Sequence, residues 1–236
     1  MRPYDATHLS IIGVTIALAV LLARLCRSGW IPTKPVRYTL AAILVLEEVT
    51  RYAYFPMQFP NQLPIHLCTL TLWMVVYGCL TLSPVPVEFA YYTGMIGAGM
   101  ALLTPDIPKQ VQQAWPSYPG VRYFVEHAGI VLAVAVLVFG KLVPLRKASI
   151  WRTYGMLWVC TLVLGWFNWQ FGTNYMFLCR KPKNPSLLDV MGPWPFYILV
   201  AALICPLFLY GLWWPARMKE EMRVEAAEVS GAQEMA

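Results

Sequence analysis

Charged residues are scarce in this 236-residue chain: Asp, Glu, Lys and Arg make up 13% of it, against 58% hydrophobic residues. A soluble domain carries roughly twice that share of charge, so the composition excludes one and indicates an integral membrane protein. Other absences narrow the reading. No stretch is polar or long enough to fold as a separate soluble domain. The first apolar segment lacks a basic leader and a small-residue cleavage pattern, so it reads as a retained span rather than a signal peptide. No internal repeat supports an inverted-repeat transporter, and no soluble-cofactor motif is present, so no cofactor is expected. The three histidines fall in no HxxxH or HExxH spacing that would mark a zinc enzyme. The net charge of +6 does not require nucleic acid as a partner, because basic loops beside membrane helices account for most of it.

What is present is long apolar runs. A helix needs roughly 17 to 25 mostly apolar residues to span a bilayer. Seven segments qualify, near 8–25, 38–54, 64–82, 88–104, 123–140, 150–172 and 194–214. The expected fold is an all-α, polytopic bundle of seven transmembrane helices, residues 1–216, followed by a charged cytoplasmic tail, 217–236. Eleven Lys and Arg lie on one side: Arg24, Arg27, Lys34, Arg37, Lys141, Arg146, Lys147, Arg152, Arg217, Lys219 and Arg223. Six lie opposite, Arg2, Lys109, Arg122, Arg180, Lys181 and Lys183, while Arg51 falls inside span two. That bias predicts an outside N-terminus and a cytoplasmic C-terminus in a multi-pass protein of the cell membrane.

Five polar clusters fall at the same, outer end of these spans: Leu63-Pro64-Ile65-His66-Leu67-Cys68, Thr104-Pro105-Asp106, Glu126-His127, Trp166-Phe167-Asn168-Trp169, and the run 174–197. Polar groups in hydrocarbon cost several kcal/mol unless partnered, so their shared depth predicts one shared cavity. Pro64 suits the first position of a helix, which would put Cys68 about one turn into span three. His66 and Cys68, two apart, point about 200° from each other, so a base for Cys68 must come from another helix. His127, about one turn into span five, is the candidate, and Cys with His is a sensible nucleophile and base.

Asp106, Glu126, Asn168, Asn174 and Asp189 are candidates to orient the imidazole or hold an oxyanion, with His66, Lys181 and Tyr197 as further supporting or substrate-binding residues. Bland alternatives stand beside these. Cys68 and Cys179 could form a disulfide. Asp106 and Asp189 could serve only a turn and a cap. Glu47 and Arg51, four apart, predict an intrahelical ion pair that leaves Glu48 without a partner on its helix. Gly94, Gly97 and Gly99 predict close helix packing. A metal site on His66, Asp106 and His127 is the competing chemistry.

The segments Asn174-Tyr175-Met176-Phe177-Leu178-Cys179-Arg180 and Asp189-Val190-Met191-Gly192-Pro193-Trp194-Pro195-Phe196-Tyr197 belong to a run that resembles the signature of the YwaF-like bacterial membrane proteins. Leu63-Pro64-Ile65-His66-Leu67-Cys68, Leu103-Thr104-Pro105-Asp106 and Arg122-Tyr123-Phe124-Val125-Glu126-His127 match in order. Thr69 and Met100 depart from the more polar residues of that pattern and carry no shared role. An animal relative of similar architecture is a lipid acyltransferase working through a membrane cysteine and a histidine, and more distant hydrolases of fatty-acid esters use a threonine and a histidine. The resemblance implies acyl transfer or hydrolysis on a membrane lipid, a glycerophospholipid by preference, with Cys68 as nucleophile and His127 as base. The rival readings are a non-enzymatic lipid- or solute-binding protein or transporter, and a metal-dependent hydrolase.

Overall fold

A computed structural model describes residues 3–234, with side chains through Arg217. All its elements are helical: α1 (Ala6–Arg27), α2 (Thr33–Tyr54), α3 (Leu67–Thr81), α4 (Pro84–Thr93), α5 (Gly99–Leu103), α6 (Lys109–Gln113), α7 (Tyr118–Phe139), α8 (Ala148–Phe171) and α9 (Phe196–Glu234). A π-helical turn, Gly94–Ala98, joins α4 to α5 into one interrupted rod. Among the described residues there is no strand.

Local chemistry sets the ends. Asp5 caps α1 by accepting from the His8 backbone N–H at 2.9 Å. Pro84 opens α4 after Ser83, where a missing N–H costs nothing. Gly172, at φ 66°, closes α8 in the left-handed conformation that glycine adopts without penalty. The expected start of span three is corrected here. Pro64 lies in the bend before the helix, His66 is the N-cap, and the helix begins at Leu67, so Cys68 is its second residue.

The long helices alternate in direction, as their end-to-end contacts show. At one end, His8 Nε2–H donates to the Leu102 carbonyl at 2.7 Å, tying the start of α1 to the end of α5. At the other, Arg37 donates to the Cys79 carbonyl, Tyr92 pairs with Ser149, and Tyr91 donates to the Leu212 carbonyl. These are called below the Cys68 end and the Arg146 end.

The centre is α7, which touches α1, α2, α3, α4 and α5. In its most apolar window 61% of residues are buried, against 22% in α1 and 17% in α9. Ile130, Val134 and Leu137 pack there with Leu44, Leu72 and Tyr91. Gly94 permits the close approach of the interrupted rod, since a Cβ there would sit 2.8 Å from Ile130 Cγ2. Gly97 and Gly99 correct the packing expectation: a Cβ at either would meet nothing within 4 Å.

Among the described residues, three helices are long and apolar enough to cross a membrane: α1, α7, and α9 as far as Arg217. α3 is apolar but has 15 residues, about 22 Å of helix. α2 is long enough but carries Glu47, Glu48 and Arg51 in one stretch. The tail does not break from the last helix, because α9 runs on past Arg217 to Glu234. α8 is buried only near its ends, at Ser149, Ile150, Thr153 and Asn168. Between them Val159, Leu162 and Val163 stand more than half exposed. An apolar face that size on a helix middle suits hydrocarbon rather than water.

Candidate functional site

Cys68 sits in the first turn of α3. The first backbone N–H of that helix to find a backbone partner is Leu70, at 3.1 Å from the His66 carbonyl. The His66 side chain caps nothing, so the N–H groups of the first turn remain donors at a positive dipole end. His66 instead rests its ring against Tyr175, 4.9 Å between centroids.

His127 is buried on α7. Its Nδ1 lies 2.6 Å from the Tyr123 carbonyl, which can only accept, so Nδ1 carries a proton and, in the neutral ring, Nε2 has the lone pair. The Tyr123 ring stacks at a tilt beside it, 4.4 Å away. α7 begins at Tyr118, earlier than the pattern implied, so His127 stands about two and a half turns into it rather than one. Tyr123 and Glu126 are α7 side chains within electrostatic range of the thiol. Among the described residues no hydrogen bond joins Cys68 to His127. A carboxylate neighbour works against thiolate formation unless it is neutralised, and Arg122 supplies that charge by donating to Glu126 Oε2 at 2.7 Å.

Arg122 does more than this. Its Nε lies 2.6 Å from Glu47 Oε1 on α2, off the line needed for a hydrogen bond. Sequence spacing had paired Glu47 with Arg51. Arg51 instead makes two bonds, 2.8 and 2.7 Å, to Glu48, because a separation of three on a helix serves as well as four. Glu47, turned about 100° away, faces α7.

The other candidates divide sharply. Asp106 Oδ1 accepts from the Asn184 side chain at 2.9 Å, and the Asp106 backbone N–H meets the Tyr123 hydroxyl, which donates to the Ala101 carbonyl at 3.0 Å. It therefore joins the end of α5 both to the later loop and to the α7 turn that reaches Cys68. Among the described residues no hydrogen bond or ion pair joins Asn168, Asn174, Asp189 or Tyr197 to Cys68. Buried Asn168 accepts from Thr173 Oγ1 and Tyr175 N–H and donates to the Tyr175 carbonyl, which uses its capacity on the turn after α8. Asn174 closes 174–180 through the Cys179 and Arg180 N–H groups. Asp189 forms a capping box with Ser186 and stands half exposed, 3.9 Å from Lys181. Lys181 lies over the buried Tyr197 ring, whose hydroxyl donates to the Phe177 carbonyl.

Sequence reasoning missed several anchors. Buried Tyr175 accepts from Leu63 N–H at 2.9 Å and donates to the Pro60 carbonyl at 2.7 Å, strapping the segment that leads into Cys68. Asn184 lay inside the quoted run unnoticed. Arg122 was counted as a loop charge, although its spacing from Glu126 was a visible signal. Nothing marked His8, which is fully buried with both ring nitrogens engaged.

Cys68 and Cys179 are both free thiols. Among the described residues no three His, Cys, Asp or Glu side chains are placed to hold a metal ion, so the His66, Asp106 and His127 metal arrangement is not formed.

Comparison with known families gives the context for this arrangement. The TMEM164 family model matches residues 3–213, from the start of α1 into α9. The chain belongs to the TMEM164 family. That is a family of membrane proteins, in keeping with the apolar helices and the bare face of α8. No curated protein sequence and no solved structure matches the chain.

Proposed function

We propose that this TMEM164-family chain is a multi-pass enzyme of the cell membrane that transfers or hydrolyses an acyl group of a membrane glycerophospholipid through a thioester on Cys68. The observation that carries the reading is that Cys68 lies in the first turn of α3, which no side chain caps, within electrostatic range of Glu126, the residue before the buried His127 on α7. The likeness to YwaF-like proteins and to an animal lipid acyltransferase adds to it. Seven spans are part of the proposal: α1, α2, α3, the rod α4–α5, α7, α8 and α9, with the Cys68 end outside and the C-terminus in the cytoplasm.

In this scheme His127 Nε2 takes the thiol proton through one bridging water, and Sγ attacks the ester carbonyl. First-turn N–H groups of α3 receive the oxyanion. The ester C–O bond breaks, the lysolipid alcohol leaves with the proton from His127, and an acceptor alcohol or water then cleaves the thioester. The test is acylation of the purified protein by a phospholipid donor. The adduct forms on Cys68, is released by hydroxylamine and is absent in Cys68→Ala; unchanged lipid turnover in that variant refutes the nucleophile.

A second reading, a non-enzymatic lipid- or solute-binding protein, is favoured by one observation: the charged group whose field acts on the thiol is an acid, Glu126, and among the described residues no base hydrogen-bonds the thiol. Lipid retained without any thioester supports that alternative.

A further inference from the structure

The ionic group between α2 and α7 does not balance. Glu47, Glu48 and Glu126 face Arg51 and Arg122, three carboxylates against two guanidinium groups. Arg51 is taken up by Glu48 through two bonds, so Glu47 and Glu126 share Arg122 alone. All three acids are more than nine-tenths buried. Glu126 holds its share of Arg122 through a hydrogen bond, whereas neither oxygen of Glu47 has one. A buried carboxylate without hydrogen bonds is among the costliest groups a protein can hold, and more so near hydrocarbon.

We propose that Glu47 and Glu126 together hold one exchangeable proton, which makes Glu47, Arg122 and Glu126 a buried proton-binding site between α2 and α7. One proton, taken from water onto a Glu47 oxygen, brings the five-residue group to zero net charge and turns an orphaned acceptor into a donor. Two acids so close that both cannot comfortably ionise share a proton in this way.

Every charged or titratable neighbour is consistent with that count. On α2 these are Glu48, Arg51 and Tyr52, the last two stacked at 4.2 Å. On α7 they are Arg122, Glu126 and Tyr123. At the start of α3, Cys68 and His66 both sense Glu126. Neither adds a fixed positive charge that would replace the proton. The proposal is independent of acyl chemistry, because it rests on the ion group alone.

Infrared difference spectra of the full chain in phospholipid vesicles test it. At neutral pH a carboxylic-acid carbonyl band, shifted in D2O, is expected. It disappears in Glu47→Gln, where the proton carrier is gone, and in Glu126→Gln, where Glu47 has Arg122 to itself and ionises. Glu47→Gln, the isostere of the protonated form, folds and unfolds at the wild-type temperature. Absence of the band in the wild type overturns the proposal, as does a band that survives both substitutions. Failure of Glu47→Gln to fold also overturns it, since that outcome requires a negative charge at the position.

Discussion

Replacing Tyr175 by Phe removes one oxygen atom and nothing else, yet that oxygen joins the cap over the Cys68 end to the chain leading into α3. It accepts from Leu63 N–H and donates to the Pro60 carbonyl. A typical hydrogen bond contributes about 0.5–1.5 kcal/mol net, and an orphaned buried partner costs more. Pro60 and Leu63 are only half-buried, so water partly replaces the lost hydroxyl and the lower scale applies. The two bonds together then stabilise by about 1–3 kcal/mol. At about 2–4 °C per kcal/mol for a chain of this size, the unfolding midpoint in detergent falls by roughly 2–12 °C. Amide exchange at Leu63 accelerates at the same time, because the ring stays packed against His66 and Phe167 while the strap is released. An unchanged midpoint with unchanged exchange at Leu63 refutes the claim that this hydroxyl holds the approach to Cys68.

Further outcomes follow from the same geometry. His127→Ala slows thioester formation by roughly 100-fold or more, the scale of a lost general base, and a stopped-time acylation assay reads it. Chelators leave that rate unchanged if the chemistry needs no metal. Arg122→Gln leaves two facing acids without their shared cation and lowers stability by about 3–5 kcal/mol, measured by thermal unfolding at neutral pH. Reporter fusions after Ala216 read cytoplasmic and fusions near Ser117 read external; the opposite result moves the Cys68 site to the inner leaflet.

Helix existence was legible because composition and apolar run length survive any error in packing. The seven expected segments each have a helical counterpart, although α3 starts after Pro64 rather than at it and α9 extends beyond Arg217. Membrane crossing was less legible, since charges that pair inside the fold look the same in sequence as charges in loops. Arg37, Arg122, Arg146 and Arg152 show this: Arg37 is buried against the end of α3, Arg122 bridges α2 and α7, and Arg146 and Arg152 both bond Glu88. In the site, residue types were readable but their partners were not. Asn168 and Asn174 have the chemistry of oxyanion donors, yet each has spent it on nearby backbone, a local choice that asparagine makes in turns.

The pinning of α8 at its two ends has a mechanical consequence. Near the Arg146 end, Ser149 bonds Tyr92 and Arg152 bonds Glu88; near the Cys68 end, Asn168 makes three bonds to the turn that follows. Sliding along its axis breaks contacts at both ends, whereas bowing of the middle breaks none of them. Tyr154 adds a bond to the Ala202 carbonyl of α9, so the stretch 155–166 between these ties is held against translation more firmly than against lateral flexing.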